Sequence, residues 1–181
     1  KTDDLNGVII PKKTINELYK LLSEYTGDIQ IEINSNKIIF YIGKLVLISK
    51  LIDGTFPDYK KVIPKNNNEK LIVNRLNLLS AVDRVSTIVS EKSPVIKFKL
   101  LKNLVNLSTF NNDNSSATED IEAKFEGREI EIGFNSKYIM DMLDNLKENE
   151  IIISFLDNSS PIIAQEKSNP DLIYVLMPMR V

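Results

Sequence analysis

The chain has 181 residues, 43% of them apolar and 27% charged, and a formal net charge of −2, the balance of a globular protein without the basic footprint of many nucleic-acid-binding domains. It has no cysteine and no histidine. That excludes disulfides, thiolate nucleophiles, Cys-based zinc sites and the commonest general base and metal ligand.

No apolar run approaches the ~18 residues of a membrane span, and the apolar runs, such as residues 45–48, are strand-sized. We therefore expect a cytoplasmic protein with no membrane association. The first residue is Lys1, which gives the expectation that the sequence is a piece of a longer protein or a processed product.

In chain order, residues 7–10 read as a short strand. Pro11 stands where a first helical residue is favoured, and Ile15, Leu18, Tyr19, Leu22 and Tyr25 recur on one helical face, predicting a helix over 11–25. Strand-like runs follow at 29–34, 37–42 and 45–51, separated by Ser35-Asn36 and Gly43. The unit reads βαβββ.

Residues 52–68, rich in Pro, Gly, Asp and Asn, read as a connector. The pattern then returns: a strand at 70–73, Asn74 as N-cap, and a helix with Leu78, Val82, Val85 and Val89 on one stripe. Strands are expected at 94–100, 103–110 and 118–125.

A third copy opens at 129–134, where Asn135 can cap a helix and Phe134 can staple onto Ile139, with Met142, Leu143 and Leu146 continuing the stripe. Its strands are expected at 150–156, 161–165 and 172–177. Each helix is apolar on one side only, so it must lie on one face of its sheet. The fold class expected is α+β, built from repeated βαβββ units with helices on one face of antiparallel sheets. The second and third copies make one complete domain, expected at 65–181. The first copy and the connector, 1–64, make half of another.

Without histidine or cysteine, acid/base chemistry would rest on carboxylate pairs, and Asp141/Asp144, Glu119/Asp120 and Glu129/Glu131 all fall on the solvent side of a helix or strand. The glycines form no phosphate-binding loop, and Ser159-Ser160-Pro161 lacks a base partner. No catalytic, metal or cofactor residue is assigned. The apolar ending, residues 172–181, must pack or bind; Val175 and Met177 suit a buried last strand as well as an adaptable binding surface. A carboxylate-dependent hydrolase on a repeat scaffold and a structural repeat protein are the alternatives from other classes.

Two segments carry a resemblance. Residues 49–64, SKLIDGTFPDYKKVIP, resemble the SKL-(I/V)-DG-x-FPDY stretch of the bacterial DNA polymerase III beta subunit, the DNA sliding clamp, and 174–181, YVLMPMRV, resembles its YVVMPMR terminus. Ser90-Glu91-Lys92 and residues 129–135, EIEIGFN, match between them in the family's order.

The resemblance implies the C-terminal part of a non-enzymatic processivity factor. In that family three domains per subunit, each a doubled βαβββ unit, close head-to-tail as a homodimeric ring around duplex DNA. Lys12, Lys13, Lys20, Arg75, Arg84, Lys137 and Lys147 would then meet phosphates without reading bases.

The resemblance further implies an apolar cleft for peptides of the polymerase III alpha subunit, clamp-loader subunits and other proteins with clamp-binding motifs. The matching positions are Pro57, Lys61 and Val62 in the connector, Tyr138 on the third helix, and Ser159 and Pro161 before a late strand. Val175, Met177, Pro178, Met179 and Arg180 complete the set. The family's TDGHRL-type wall has no counterpart in the sequence. Thr87, Ile88, Asp113, Glu119 and Asp120 fall at the family's subunit contact, although Ser115 and Thr118 stand where the family often has glutamates.

Overall fold

Residues 7–89, 94–110 and 115–180 are described in a computed structural model. The chain divides into two compact units, Lys1–Asp58 and Tyr59–Val181.

In the first unit helix α1 (Lys12–Leu22) precedes the antiparallel strands β1 (Ile29–Ile33), β2 (Lys37–Ile42) and β3 (Leu45–Lys50), in spatial order β1-β2-β3. Pro11 sits just outside the helix with φ −60° and offers no side-chain cap. The helix closes at Leu22, three residues short of expectation, where Ser23 donates its N–H to Tyr19. Alternation on the central strand buries Ile38, Phe40 and Ile42 against Leu18, Leu21 and Leu22 of the helix. Gly43 takes φ +58° in the two-residue β2–β3 turn, a conformation glycine adopts without a Cβ clash. The strand expected at 7–10 reduces to one bridge, Ile9 to Ile52. Pro11, immediately after it, has no N–H to extend a ladder.

The second unit contains two copies of one pattern. The first runs β4 (Glu69–Asn74), α2 (Arg75–Ser86), β5 (Val95–Leu101), β6 (Leu104–Phe110) and β7 (Ser116–Lys124); the second runs β8 (Ile130–Asn135), α3 (Ser136–Asn145), β9 (Glu150–Phe155), β10 (Ile162–Glu166) and β11 (Ile173–Leu176). Asn74 and Asn135 cap the two helices through their side-chain oxygens, onto the N–H groups of Asn77 and Lys137.

The copies are interlocked rather than adjacent. The strand before each helix pairs with the strand after the other helix, β4 with β9 and β5 with β8, giving the order β11-β10-β9-β4-β7-β6-β5-β8. The two four-stranded halves meet at only two residue pairs between β4 and β7, Ile72 with Lys124 and Val73 with Ala123. A bridge from Gly133 on β8 to Met179 links the opposite edges.

One core serves both copies. Leu78, Val82 and Val85 of α2 and Ile139, Met142 and Leu143 of α3 pack with Ile96, Phe98, Leu107, Ile132 and Ile153 of the sheet. Phe98 meets Phe134 edge-on at 5.1 Å. Val89, expected on the α2 stripe, lies beyond the helix end and packs against the same core half-buried.

Candidate functional site

An open groove of about 380 Å³ lies between α3 and β11, lined by Tyr138, Asp141, Met142, Asn145, Tyr174, Val175, Leu176 and Met177. The helix period explains one wall. Ile139, Met142 and Leu143 face the core while Tyr138 remains 64% exposed beside the polar Asp141 and Asn145.

The other wall is an edge strand, hydrogen-bonded among the described strands only to β10, whose four residues are all half-buried. Just past it Met177 is 61% exposed. The chain then turns so that the Met179 N–H donates to the Gly133 carbonyl at 2.8 Å. The floor is apolar, and the rim carries a phenol, a carboxylate and an amide.

Of the cleft residues expected from sequence, the structure thus brings Tyr138, Val175 and Met177 to one groove. Pro178 is half-buried and Met179 and Arg180 are exposed at the chain's end, outside the lining. Lys61 closes a 3-10 turn, Tyr59–Lys61, with Val62 exposed after it, also outside the lining. Pro57 is exposed in the other unit. Tyr174, Leu176, Met142, Asp141 and Asn145 line the groove but were not named as cleft residues; the apolar ending that contains Tyr174 and Leu176 and the solvent-facing placement of Asp141 were the hints.

Ser159 and Pro161 belong to the β9–β10 turn, which Asp157 organises. Its carboxylate accepts the N–H groups of Ser159 at 2.8 Å and Ser160 at 2.6 Å, and both serine hydroxyls at 3.0 Å. The two backbone bonds, followed by the Ser160 hydroxyl, hold its pKa down at about 2. The Pro161 carbonyl accepts from the Asn67 amide at 2.9 Å.

The basic residues differ in how free they are. Lys12, Lys13 and Lys20 are exposed along α1 beside Tyr19, with Lys20 on Glu17 at 3.0 Å. Arg75 is committed within the fold, donating to the Leu143 carbonyl at 3.0 Å and the Glu148 carbonyl at 3.1 Å. Arg84 is paired with Glu119. Lys137 and Lys147 are exposed at the start of α3 and just past its end.

Thr87 terminates α2, its hydroxyl on the Arg84 carbonyl at 2.8 Å, and Ile88 is half-buried after it. Glu119 and Asp120 are neighbours on β7 and point to opposite faces: Glu119 reaches α2, while Asp120 accepts from Asn106 at 2.6 Å. Asp113 lies outside the described residues, as do Ser90, Glu91 and Lys92. Glu129 and Glu131 are ion-paired with Lys99 and Lys97 at 2.6 and 3.2 Å. Among the described residues no group of three or more acids could hold a metal ion. No described helix is long and apolar enough to cross a membrane.

The sequence matches the family of the DNA polymerase III beta subunit, C-terminal domain, over residues 60–180, and the corresponding central domain over residues 1–58. The chain belongs to the DNA polymerase III beta-subunit family. Beta sliding clamps from Caulobacter vibrioides (strain NA1000 / CB15N) and Rickettsia felis are 36% and 34% identical to it, each over 97% of this chain, and it covers 47% and 50% of them. The crystal structure of a beta-subunit sliding clamp from Bartonella birtlesii, bound to griselimycin, superimposes with a TM-score of 0.91 at 44% identity, over 98% of this chain and 48% of that one. The Caulobacter crescentus polymerase III beta subunit gives 0.91 at 35% identity, with the same coverage. The chain thus spans about half the length of these beta-subunit relatives and has the sliding-clamp fold, α+β with helices on antiparallel sheets.

Proposed function

We propose that this chain serves as the partner-binding part of a sliding clamp, a processivity factor that encircles duplex DNA as a dimeric ring and tethers replication proteins. The observation that carries the reading is the groove between α3 and β11, where Tyr138, Val175 and Met177 converge on an apolar floor left open to solvent. An open apolar groove with a few polar groups on its rim suits a short extended peptide bearing Leu or Phe side chains. The thioether of Met177 adapts to different side chains, which suits a surface that takes several partners.

Burying a few such side chains, less the ordering of the peptide, leaves an affinity around 1 μM, about −8 kcal/mol. In this reading the protein does no chemistry of its own, works in the cytoplasm, and touches DNA through exposed lysines such as Lys12, Lys13, Lys137 and Lys147. Retention on DNA comes from ring topology rather than affinity, which is compatible with a net charge of −2. The test is anisotropy of a labelled Leu- and Phe-bearing peptide titrated with the chain. Saturation in the micromolar range is expected; a linear, unsaturable response contradicts the reading.

A further inference from the structure

Glu166, at the end of β10, is the only charged residue among the described ones buried as deeply as 6% exposure. A buried carboxylate needs partners, and here they are backbone amides. Its Oε1 accepts the N–H groups of Lys147 and, at 2.9 Å, Glu148, in the segment after α3. Glu148 returns the contact: its carboxylate accepts the N–H groups of Lys167 and Ser168, each at 3.1 Å, in the segment after β10. Each segment thus supplies the carboxylate for the other's free amides. From the far side Arg75 holds the same post-helix segment, donating to the Glu148 carbonyl with its side chain and to the Asn149 carbonyl, at 2.8 Å, with its backbone. The amides of Lys147 and Glu148 are the main reason the Glu166 carboxyl lies below the usual range.

These contacts tie together the two elements that wall the groove. α3 carries Tyr138, Met142 and Asn145 and runs directly into the segment that Glu166 grips; β10 runs through the segment that Glu148 grips into β11. Edge strand β11, half-buried and paired with β10 on one side, rests on the core through Tyr174 and Leu176, and its approach to the helix also depends on the segment that leads into it. We propose that Glu166 and Glu148 form a reciprocal latch that positions β11 against α3, so that Glu166 is a positioning residue for peptide binding in the groove. This rests on the peptide-groove reading above.

The test compares wild type, Glu166→Ala and Glu166→Gln by hydrogen exchange and peptide affinity. Glutamine keeps an oxygen where Oε1 accepts both amides; alanine leaves the amides bare. In Glu166→Ala the β11 amides should exchange about tenfold faster, with β5 and β6 unchanged, as local opening independent of the global core. Peptide affinity should fall by about tenfold through lost preorganisation, and Glu166→Gln should stay close to wild type. Unchanged β11 exchange in folded Glu166→Ala overturns the latch whether or not peptide binds. Faster exchange with unchanged affinity overturns its positioning role. Failure of wild type to bind peptide, with β11 still loosened by alanine, overturns the groove reading and leaves the latch a purely structural contact. If Glu166→Ala does not fold, Glu148→Ala removes the other half of the latch and carries the same outcomes.

Discussion

Arg84 on α2 and Glu119 on β7 form a two-pronged ion pair, Nε to Oε2 at 3.0 Å and Nη2 to Oε1. The side-chain hydrogen bond between them is the main cause both of the raised Arg84 pKa and of the lowered Glu119 pKa. From sequence the two belonged to different surfaces, Arg84 to the DNA side and Glu119 to the subunit contact. The pair makes them one unit, with the arginine occupied before any phosphate arrives.

Glu119→Ala should therefore release Arg84. If Arg84 faces phosphates, the slope of log K for DNA against log salt should steepen by up to about 0.9, one added contact. A filter-binding salt series on wild type and Glu119→Ala checks this. An identical slope would place Arg84 away from DNA.

Asp157 stabilises the fold at neutral pH and loses that effect in acid. Its folded pKa, about 2, lies below the ordinary 3.8, so the stabilisation is complete above the unfolded value and is lost as pH falls through about 2. Titration of the Asp157 carboxyl carbon by NMR should give a midpoint near the lower value. A midpoint at 3.8 would mean that the Ser159 and Ser160 bonds are not formed in solution.

Two substitutions separate core packing from polar support. Leu78→Ala removes a side chain that is 0% exposed and should cost about 2–5 kcal/mol through lost burial and the cavity left behind. Arg75→Ala leaves the Leu143 and Glu148 carbonyls without their donor and should cost about 1–3 kcal/mol. Urea denaturation measures both. A loss well under 1 kcal/mol for Arg75→Ala would show that water replaces the guanidinium.

What could be read in advance was local. Periods of 3.6 and 2 placed every α-helix and strand described from residue 11 onward to within a few residues, because one apolar face per element is enough to encode its type. The 7–10 strand, expected from Val8, Ile9 and Ile10, reduces to the single Ile9–Ile52 bridge, and Pro11 after it offers no N–H to lengthen the pairing. What stayed hidden was long-range: the exchange of strands between copies, the Arg84–Glu119 pair across 35 residues, and the Glu148/Glu166 contacts across 18 to 20. Nothing in a charged residue's own neighbourhood says which distant amide it will meet. The groove was half legible, since Met177 and Val175 stood out as an apolar ending, whereas the contribution of Asn145 depends on where α3 lands against β11.

Residues 52–68 should be where protease cuts first, as the division between units falls at Asp58 and, apart from a bridge residue, one 3-10 turn and the Asn67 bonds at its end, the segment has no regular structure. Mass spectrometry of early tryptic products tests this. Primary cuts inside α2 would contradict the division.

The groove itself is tested most directly by calorimetry of one Leu- and Phe-bearing peptide against wild type, Met177→Ala and Lys61→Ala, with circular dichroism to show that each variant is folded. Met177, 61% exposed on the groove's edge, should act as an anchor whose truncation costs about 1–3 kcal/mol of binding, while Lys61, outside the lining, should cost less. Unchanged affinity in folded Met177→Ala would contradict the account and make Met177 an ordinary packing residue at the end of the last strand.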